Sequence, residues 1–244
     1  KRVMVAAHMD EVGFMITHIT ENGMIQFTNL GGVANDIWQG QRLKIKNRYG
    51  KEIIGVVANI PKHFRTGNES IPQIKDLMLD IGASSSEEVR NRGVEVGDTI
   101  VPHTIMTQLS KNRYSAKAWD NRYGCVLAIE ILELLKDVQL DVDLYVGANV
   151  QEEVGLRGAK VAANLIKPDL AIAVDVGVAY DVPGMTSEKN EGKLGDGPLA
   201  ILMDATSIAH NGLRKHIKDV AEHHNIPVQW ATTPGGGTDA GSIH

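Results

Sequence analysis

The spacing of apolar positions changes character along the chain. Residues 3–7 and 12–17 form two apolar runs of strand length, separated by a short polar stretch. From there to about residue 109 the runs are short, at 24–28, 42–47, 53–60 and 99–101. Turn signals punctuate them: Glu21-Asn22-Gly23, Arg48-Tyr49-Gly50 and Val96-Gly97-Asp98. Ser84-Ser85-Ser86-Glu87-Glu88 reads as the capped start of a short helix reaching about Asn91. This pattern predicts a compact, mostly β domain. Gly31-Gly32 and Gly67-Asn68 read as loop glycines, and nothing has the spacing of a P-loop.

From Tyr114 onward strands and helices alternate. Residues 121–136 place Val126, Ile129, Leu132 and Leu135 at helical spacing, which predicts one buried stripe. Residues 143–150 are strand-like. Residues 156–166 are Ala-rich and helical, and Lys167-Pro168 stops them. Strands follow at 170–174 and 199–203, an amphipathic helix at 212–224, and a strand at 228–231 before Pro234-Gly235-Gly236-Gly237-Thr238-Asp239. Such alternation predicts an α/β fold, a mainly parallel sheet flanked by helices. Residues 1–17 are expected to join that sheet. The chain then divides into a discontinuous catalytic domain, 1–17 with 110–244, and an inserted β domain, 18–109.

Composition narrows the function. The 244 residues are 43% hydrophobic, enough for a substantial core, and carry a net charge of −5. Lys and Arg are spread without a basic block, which argues against nucleic acid. No apolar run approaches the ~18 residues of a membrane span, and no signal peptide is visible. The one cysteine, Cys125, reads as a small core residue and fits a reducing cytoplasm. The chain opens inside a strand without Met and stops just after a Gly-rich turn, so further sequence is expected beyond both ends.

Metal-binding side chains follow the strands. His8-Met9-Asp10-Glu11 comes after the first run, Gln151-Glu152-Glu153 after 144–150, and Asp175-Val176-Gly177 after 170–174. Asp120 stands at the mouth of the helix at 121–136. Ligands of open α/β sheets gather at the carboxyl ends of strands. An imidazole among carboxylates suits a hard or borderline divalent cation. Asp10 has the chemistry to orient a metal-binding His8. Taken singly, His8 also reads as a strand-end histidine satisfied by Asp10, Asp120 as a helix N-cap, and Glu152-Glu153 as a solvated acidic turn. Asp175 resists a surface reading, because the run before it should be buried. Adjacent Glu152 and Glu153 in extended chain should point opposite ways, which suits a base beside a ligand.

In combination these stretches resemble the glutamyl aminopeptidase family, cytosolic dinuclear-metal peptidases that assemble as tetrahedral dodecamers, some with an old cellulase label. The resemblance rests on Ala7-His8-Met9-Asp10-Glu11-Val12-Gly13-Phe14, Lys117-Ala118-Trp119-Asp120-Asn121-Arg122-Tyr123-Gly124, Val150-Gln151-Glu152-Glu153-Val154-Gly155-Leu156-Arg157-Gly158, Ala173-Val174-Asp175 and Gly236-Gly237-Thr238-Asp239-Ala240-Gly241. It implies that His8 and Asp175 bind one metal, Glu153 the other, and Asp120 bridges them. Glu152 would be the general base and Asp10 would orient His8. The turn at Gly236, Thr238 and Asp239 would shape the site without ligating. The inserted β domain would serve oligomer assembly.

The resemblance further implies two divalent ions, zinc or cobalt with manganese also allowed, and peptide substrates losing an N-terminal residue, most often an acidic one. Lys189, Lys193 and Arg214 could grip an acidic side chain, though each also reads as an ordinary surface charge. The family's last ligand is a histidine in a Tyr-x-His-Ser/Thr stretch beyond the Gly-Gly-Thr-Asp turn. His210, His216 and His244 do not match it. Alternatives are a carboxypeptidase or deacylase with the same metal chemistry, or an inactive assembly scaffold.

Overall fold

The computed structural model describes residues 1–60, 62–64, 71–181 and 192–243. Gly67, Asn68, Lys189 and His244, singled out above, lie outside the described residues. The chain forms two compact units, Lys1–Asp10 with Trp119–His244, and Glu11–Ala118.

The first strand, β1 (Arg2–His8), belongs to the discontinuous unit. The chain then enters a closed antiparallel barrel built of β2 (Gly13–Ile19), β3 (Ile25–Leu30), β4 (Arg42–Lys46), β5 (Glu52–Ala58), β6 (Met78–Asp80) and β7 (Thr99–Pro102), in the order β2-β3-β6-β5-β4-β7. Helix α1 (Ser86–Asn91) precedes β7; the Ser85 side chain accepts from the Glu88 N–H, the cap expected from the sequence. Alternate residues face inward, so Phe14, Ile16, Phe27, Leu43, Ile45, Leu79 and Ile100 are buried. Phe14 meets Phe27 and Trp38 edge-on, at centroid distances of 5.0 and 4.9 Å.

The run at 12–17 was expected beside the first strand; it is instead β2 of the barrel. Only residues 9–12 separate β1 from β2, too few for the crossover that parallel neighbours need. β2 instead turns through Glu21-Asn22-Gly23 and pairs antiparallel with β3. At the other junction, residues 110–118 were also expected in the α/β unit. They lie with the barrel, as part of a hairpin of β8 (Thr107–Ser110) and β9 (Arg113–Ser115).

The discontinuous unit also contains α2 (Trp119–Leu135), β10 (Asp143–Asn149), α3 (Arg157–Ile166), β11 (Leu170–Ala173), β12 (Leu199–Met203), α4 (Asn211–His223), β13 (Gln229–Thr232) and α5 (Ala240–Ile243). β1 is the centre of a parallel sheet ordered β10-β1-β11. Its Met4–Ala7 stretch is buried, as expected of a strand covered on both faces. β12 and β13 form a separate parallel pair, so the single sheet expected from the alternation is split in two. α2 lies close on this sheet because Gly124 has no side chain; a Cβ there would stand 2.9 Å from both the Ala7 Cβ and the Val174 carbonyl oxygen. No helix among the described residues is long and apolar enough to cross a membrane.

Candidate metal centre

The carboxyl ends of the three parallel strands supply most of the site. His8 ends the central strand and is 1% exposed. Its Nδ1 lies 3.1 Å from the Asp10 carbonyl oxygen, a bond that fixes the tautomer and leaves Nε2 facing the acids. Nε2 stands 3.0 Å from Asp120 Oδ1, 3.7 Å from Asp175 Oδ1 and 3.8 Å from Glu152 Oε2.

Asp10 holds the imidazole through its backbone, while its carboxylate is 3.6 Å from Nδ1. That carboxylate instead accepts from the Glu152 and Glu153 N–H groups, each at 3.2 Å. One residue therefore positions both sides of the cluster.

The two glutamates do not sit in extended chain. β10 stops at Asn149 and Gln151 adopts φ 60°, so the argument from alternating directions fails here. The left-handed residue reverses the chain, and the Asp10 carboxylate gathers both amides. Glu152 is buried, and its carbonyl accepts from the Gly155 and Leu156 N–H groups at 3.0 and 2.9 Å.

Asp120 is not the helix cap that it resembles in isolation. Asp120 and Asn121 have non-helical backbone angles and are joined by a cis peptide bond. Asn121, fully buried, does the capping: its Oδ1 accepts from the Gly124 N–H at 3.1 Å. Its Nδ2 donates to the Val174 carbonyl at 2.7 Å. The neighbours of Asp120 and Asp175 are thus tied together, and Asp120 is left available to the site. In the sequence Asn121 is one residue of the Trp119-Asp120-Asn121-Arg122 stretch with no role of its own. Its buried place was not visible from the motif.

Asn149 was also missed, although a polar residue closing an apolar run was a usable signal. Its Nδ2 donates to Asp239 Oδ2 at 2.7 Å. Cys125 donates its S–H to the His8 carbonyl at 3.1 Å. Lys193 exchanges backbone hydrogen bonds with the Gln229 side chain, and Arg214 is exposed on α4. Among the described residues, no hydrogen bond or ion pair joins either cation to the cluster. His210 caps α4, and His216 is exposed on it.

The electrostatics call for a cation. Two groups of possible ligands share His8: His8, Glu152 and Asp175, and His8, Asp120 and Glu153, each with its ligand atoms within 4.8 Å of one another. Burial pushes the Glu152 carboxyl up to about 7, helped by the charges of Asp175, Glu153 and Asp239 and opposed by His8. Burial likewise pushes Glu153 up to about 7, with Asp120, Asp10 and Asp175 adding to it. At His8 burial favours the neutral ring, but hydrogen bonds to Asp120 and Asp175 and the charges of Asp175 and Glu152 outweigh it, and the imidazole is pushed up to about 11. Carboxylates crowded enough to hold protons, around an imidazole that they keep charged, form a cage for positive charge. One nitrogen and several oxygen donors, with no thiolate among them, fit hard or borderline divalent ions.

An α/β sheet with such a cluster at its strand ends has the donor set of a divalent-metal site, as metal-dependent hydrolases do. The model of the M42 glutamyl aminopeptidase family matches residues 1–244, and the chain belongs to that family. The glutamyl aminopeptidase of Lactococcus lactis subsp. cremoris is 42% identical over 248 residues, covering 100% of this chain and 68% of the relative. The lysyl aminopeptidase of Pyrococcus furiosus is 34% identical over 247 residues, covering 98% and 68%. The structure of the TET aminopeptidase from the marine sediment archaeon Thaumarchaeota archaeon SCGC AB-539-E09 superposes with a TM-score of 0.95 at 36% identity, covering 100% of this chain and 69% of that one. The dodecamer PhTET1-12s matches with a TM-score of 0.88 at 34% identity, covering 99% and 70%. The chain is thus a metal-dependent aminopeptidase, a hydrolase acting on peptide bonds.

Proposed function

We propose that this aminopeptidase uses two divalent ions, zinc or cobalt with manganese also suited, held by His8, Asp120, Glu153 and Asp175. The observation that carries the metal reading is the gathering of Asp120, Asp175 and Glu152 oxygens within 3.0–3.8 Å of His8 Nε2; the second ion rests on the family resemblance. Asp120, whose oxygen is nearest to His8 Nε2, would help hold both ions, as the family resemblance implies. Bound divalent ions would supply Lewis acidity to the peptide carbonyl and acidity to the attacking water.

Glu152 is the general base. It accepts the proton of the water whose oxygen attacks the carbonyl carbon, and returns it to the amine as the C–N bond breaks. In the metal-free site burial raises the Glu152 carboxyl to about 7, and bound cations would favour the carboxylate that accepts the proton. Asp10 keeps Glu152 and Glu153 in place through their amides and His8 through its own carbonyl.

The substrate is a peptide with a free amino end, and an acidic first residue is our proposal on the strength of the family resemblance. The lysyl aminopeptidase among the relatives makes leucyl and lysyl substrates necessary controls. Assembly into a dodecamer through the barrel unit is part of the same proposal. It is supported by the dodecameric relative and by Ile54 and Val56, exposed on the outward side of β5. A cytoplasmic location rests on the resemblance and on the single cysteine.

The test is metal content per chain together with hydrolysis of glutamyl-, leucyl- and lysyl-anilides with cobalt or zinc. Close to two ions and preferential glutamyl release are expected. The Glu152→Gln variant should bind metal and lose turnover. Turnover surviving in that variant would remove Glu152 from the role of base.

A further inference from the structure

Asp239 is a buried carboxylate outside both ligand groups. It is 2% exposed, in the turn leading to α5. Its Oδ2 accepts from Asn149 Nδ2 at 2.7 Å, and its Oδ1 is buried without a hydrogen-bond partner among the described residues. A buried carboxylate that is only half satisfied is costly, and a fold that retains one uses it for something other than filling space.

The partner points to the use. Asn149 is the last residue of β10 and pairs in register with His8, so the carboxamide and the imidazole leave the same face of the sheet. The Asn149 carbonyl accepts from the Met9 N–H at 2.9 Å, next to His8. Asn149 is also where the loop carrying Glu152 and Glu153 begins. That loop ends at Leu156, a non-glycine residue at φ 56° that precedes α3. There Ser242 donates its hydroxyl to the Leu156 carbonyl at 3.0 Å.

Asp239 and Ser242 stand on one short turn, and Ser242 N–H bonds the Asp239 carbonyl at 3.1 Å. The turn is itself seated. A Cβ at Gly237 would lie 2.6 Å from Thr206 Cγ2, and one at Gly241 2.3 Å from Thr206 Oγ1. These contacts bring the turn against Thr206 more closely than any side chain there would permit.

We infer that Asp239 is a positioning residue: with Ser242 it clamps the two ends of the Glu152–Glu153 loop, and so sets those carboxylates against His8. The inference rests on the proposed metal-dependent aminopeptidase centre, and it gives the Gly-Gly-Thr-Asp turn a mechanical task there. Asp239 touches neither substrate nor metal in this role.

The test compares the full chain with Asp239→Ala, Ser242→Ala and the exchange Asn149→Asp/Asp239→Asn. The exchange swaps donor and acceptor while keeping the hydrogen bond and the net charge. The readouts are cobalt(II) affinity, the visible spectrum of the cobalt-loaded protein, and kcat and KM on leucyl-anilide. Removing a partner that orients metal ligands costs about 10–100-fold in affinity or activity. Asp239 acts through Asn149, one contact beyond such a partner, so Asp239→Ala should weaken cobalt binding and lower kcat by up to about 10-fold, with KM little changed and an altered cobalt spectrum. The exchange should recover most of the loss. Should Asp239→Ala not fold, Ser242→Ala tests the other end of the clamp, with a smaller loss in the same readouts. Unchanged cobalt affinity and kcat in Asp239→Ala, a folded exchange variant that recovers nothing, or an unaffected Ser242→Ala where that variant has to stand in would each overturn the clamp. If the unaltered protein binds cobalt yet cleaves no anilide, the aminopeptidase reading fails, while the cobalt series still judges the clamp.

Discussion

Replacing Asn121 by alanine is expected to damage stability and metal binding together, because one buried carboxamide makes two unrelated bonds. Its oxygen caps α2 at the Gly124 N–H, and its nitrogen holds the Val174 carbonyl next to Asp175. Loss of an N-cap side chain costs about 1 kcal/mol. Leaving the Val174 carbonyl without its donor costs about 1–3 kcal/mol. The sum, about 2–4 kcal/mol, is a large part of the 5–15 kcal/mol that typically holds a domain folded. Asn121→Asp separates the two contributions. It keeps the acceptor for Gly124 but turns a carboxylate oxygen towards the Val174 carbonyl, so the cap survives and the tether becomes repulsive. Urea unfolding of the metal-free protein measures the stability, and cobalt titration measures the ligand geometry. Asn121→Asp should weaken cobalt binding at least as much as Asn121→Ala does. A stability loss below about 0.5 kcal/mol in Asn121→Ala, with unchanged cobalt affinity, would refute the account, because surface substitutions commonly fall in that range.

Metal and protons should compete. Ligands must be deprotonated to bind, and the metal-free site holds protons on His8 up to about 11 and on Glu152 and Glu153 up to about 7. These raised values stabilise the metal-free protein fully below the ordinary values of 6.5 for His8 and 4.5 for the glutamates. That stabilisation is lost as pH rises through about 7 for the glutamates and about 11 for His8. Cobalt affinity should therefore fall as pH drops from about 11 and more steeply below about 7, with proton release seen by calorimetry in buffers of different ionisation enthalpy; a pH-independent affinity would contradict this. In the barrel, Phe14→Ala removes a fully buried ring packed edge-on against Phe27 and Trp38, at a cost of about 3–5 kcal/mol. Urea unfolding followed by tryptophan fluorescence checks it, and a loss under about 1 kcal/mol would mean that Phe14 is not at the centre of that core.

The parts of the fold that were legible in the sequence are those in which burial leaves a one-dimensional trace. β1 is buried from Met4 to His8 in the parallel sheet, while β11 is only half-buried, short of the burial expected of the run before Asp175; both apolar runs end where the site begins. β2 escaped for the same reason in reverse. Met15 between Phe14 and Ile16 hides the alternation of a barrel strand, and its antiparallel pairing with β3 and β7 reveals it. The ligand candidates were legible because acids after apolar runs are conspicuous. Their orientation was not, because it depends on left-handed backbone at Gln151 and Leu156, residue types that do not advertise it.

The braces were harder to see than the candidate ligands, and their chemistry explains why. A cluster of carboxylates must be held together against its own repulsion. A lysine or arginine brace would do so by neutralising charge, and would compete with the cations that the site is built to attract. Three of the braces avoid this, while Arg122, whose Nε donates to the Met9 carbonyl between His8 and Asp10, is a cationic one. Asn121 and Asn149 are neutral carboxamides, each bonding at a strand end or helix start. Asp10 works through backbone groups: its carbonyl faces His8, and its carboxylate takes the amides of Glu152 and Glu153. Such braces stiffen the cage without discharging it. In a sequence they appear only as scattered asparagines and a neighbouring aspartate, with no spacing of their own. What makes them recognisable is the position of the strand ends, which only the folded chain supplies.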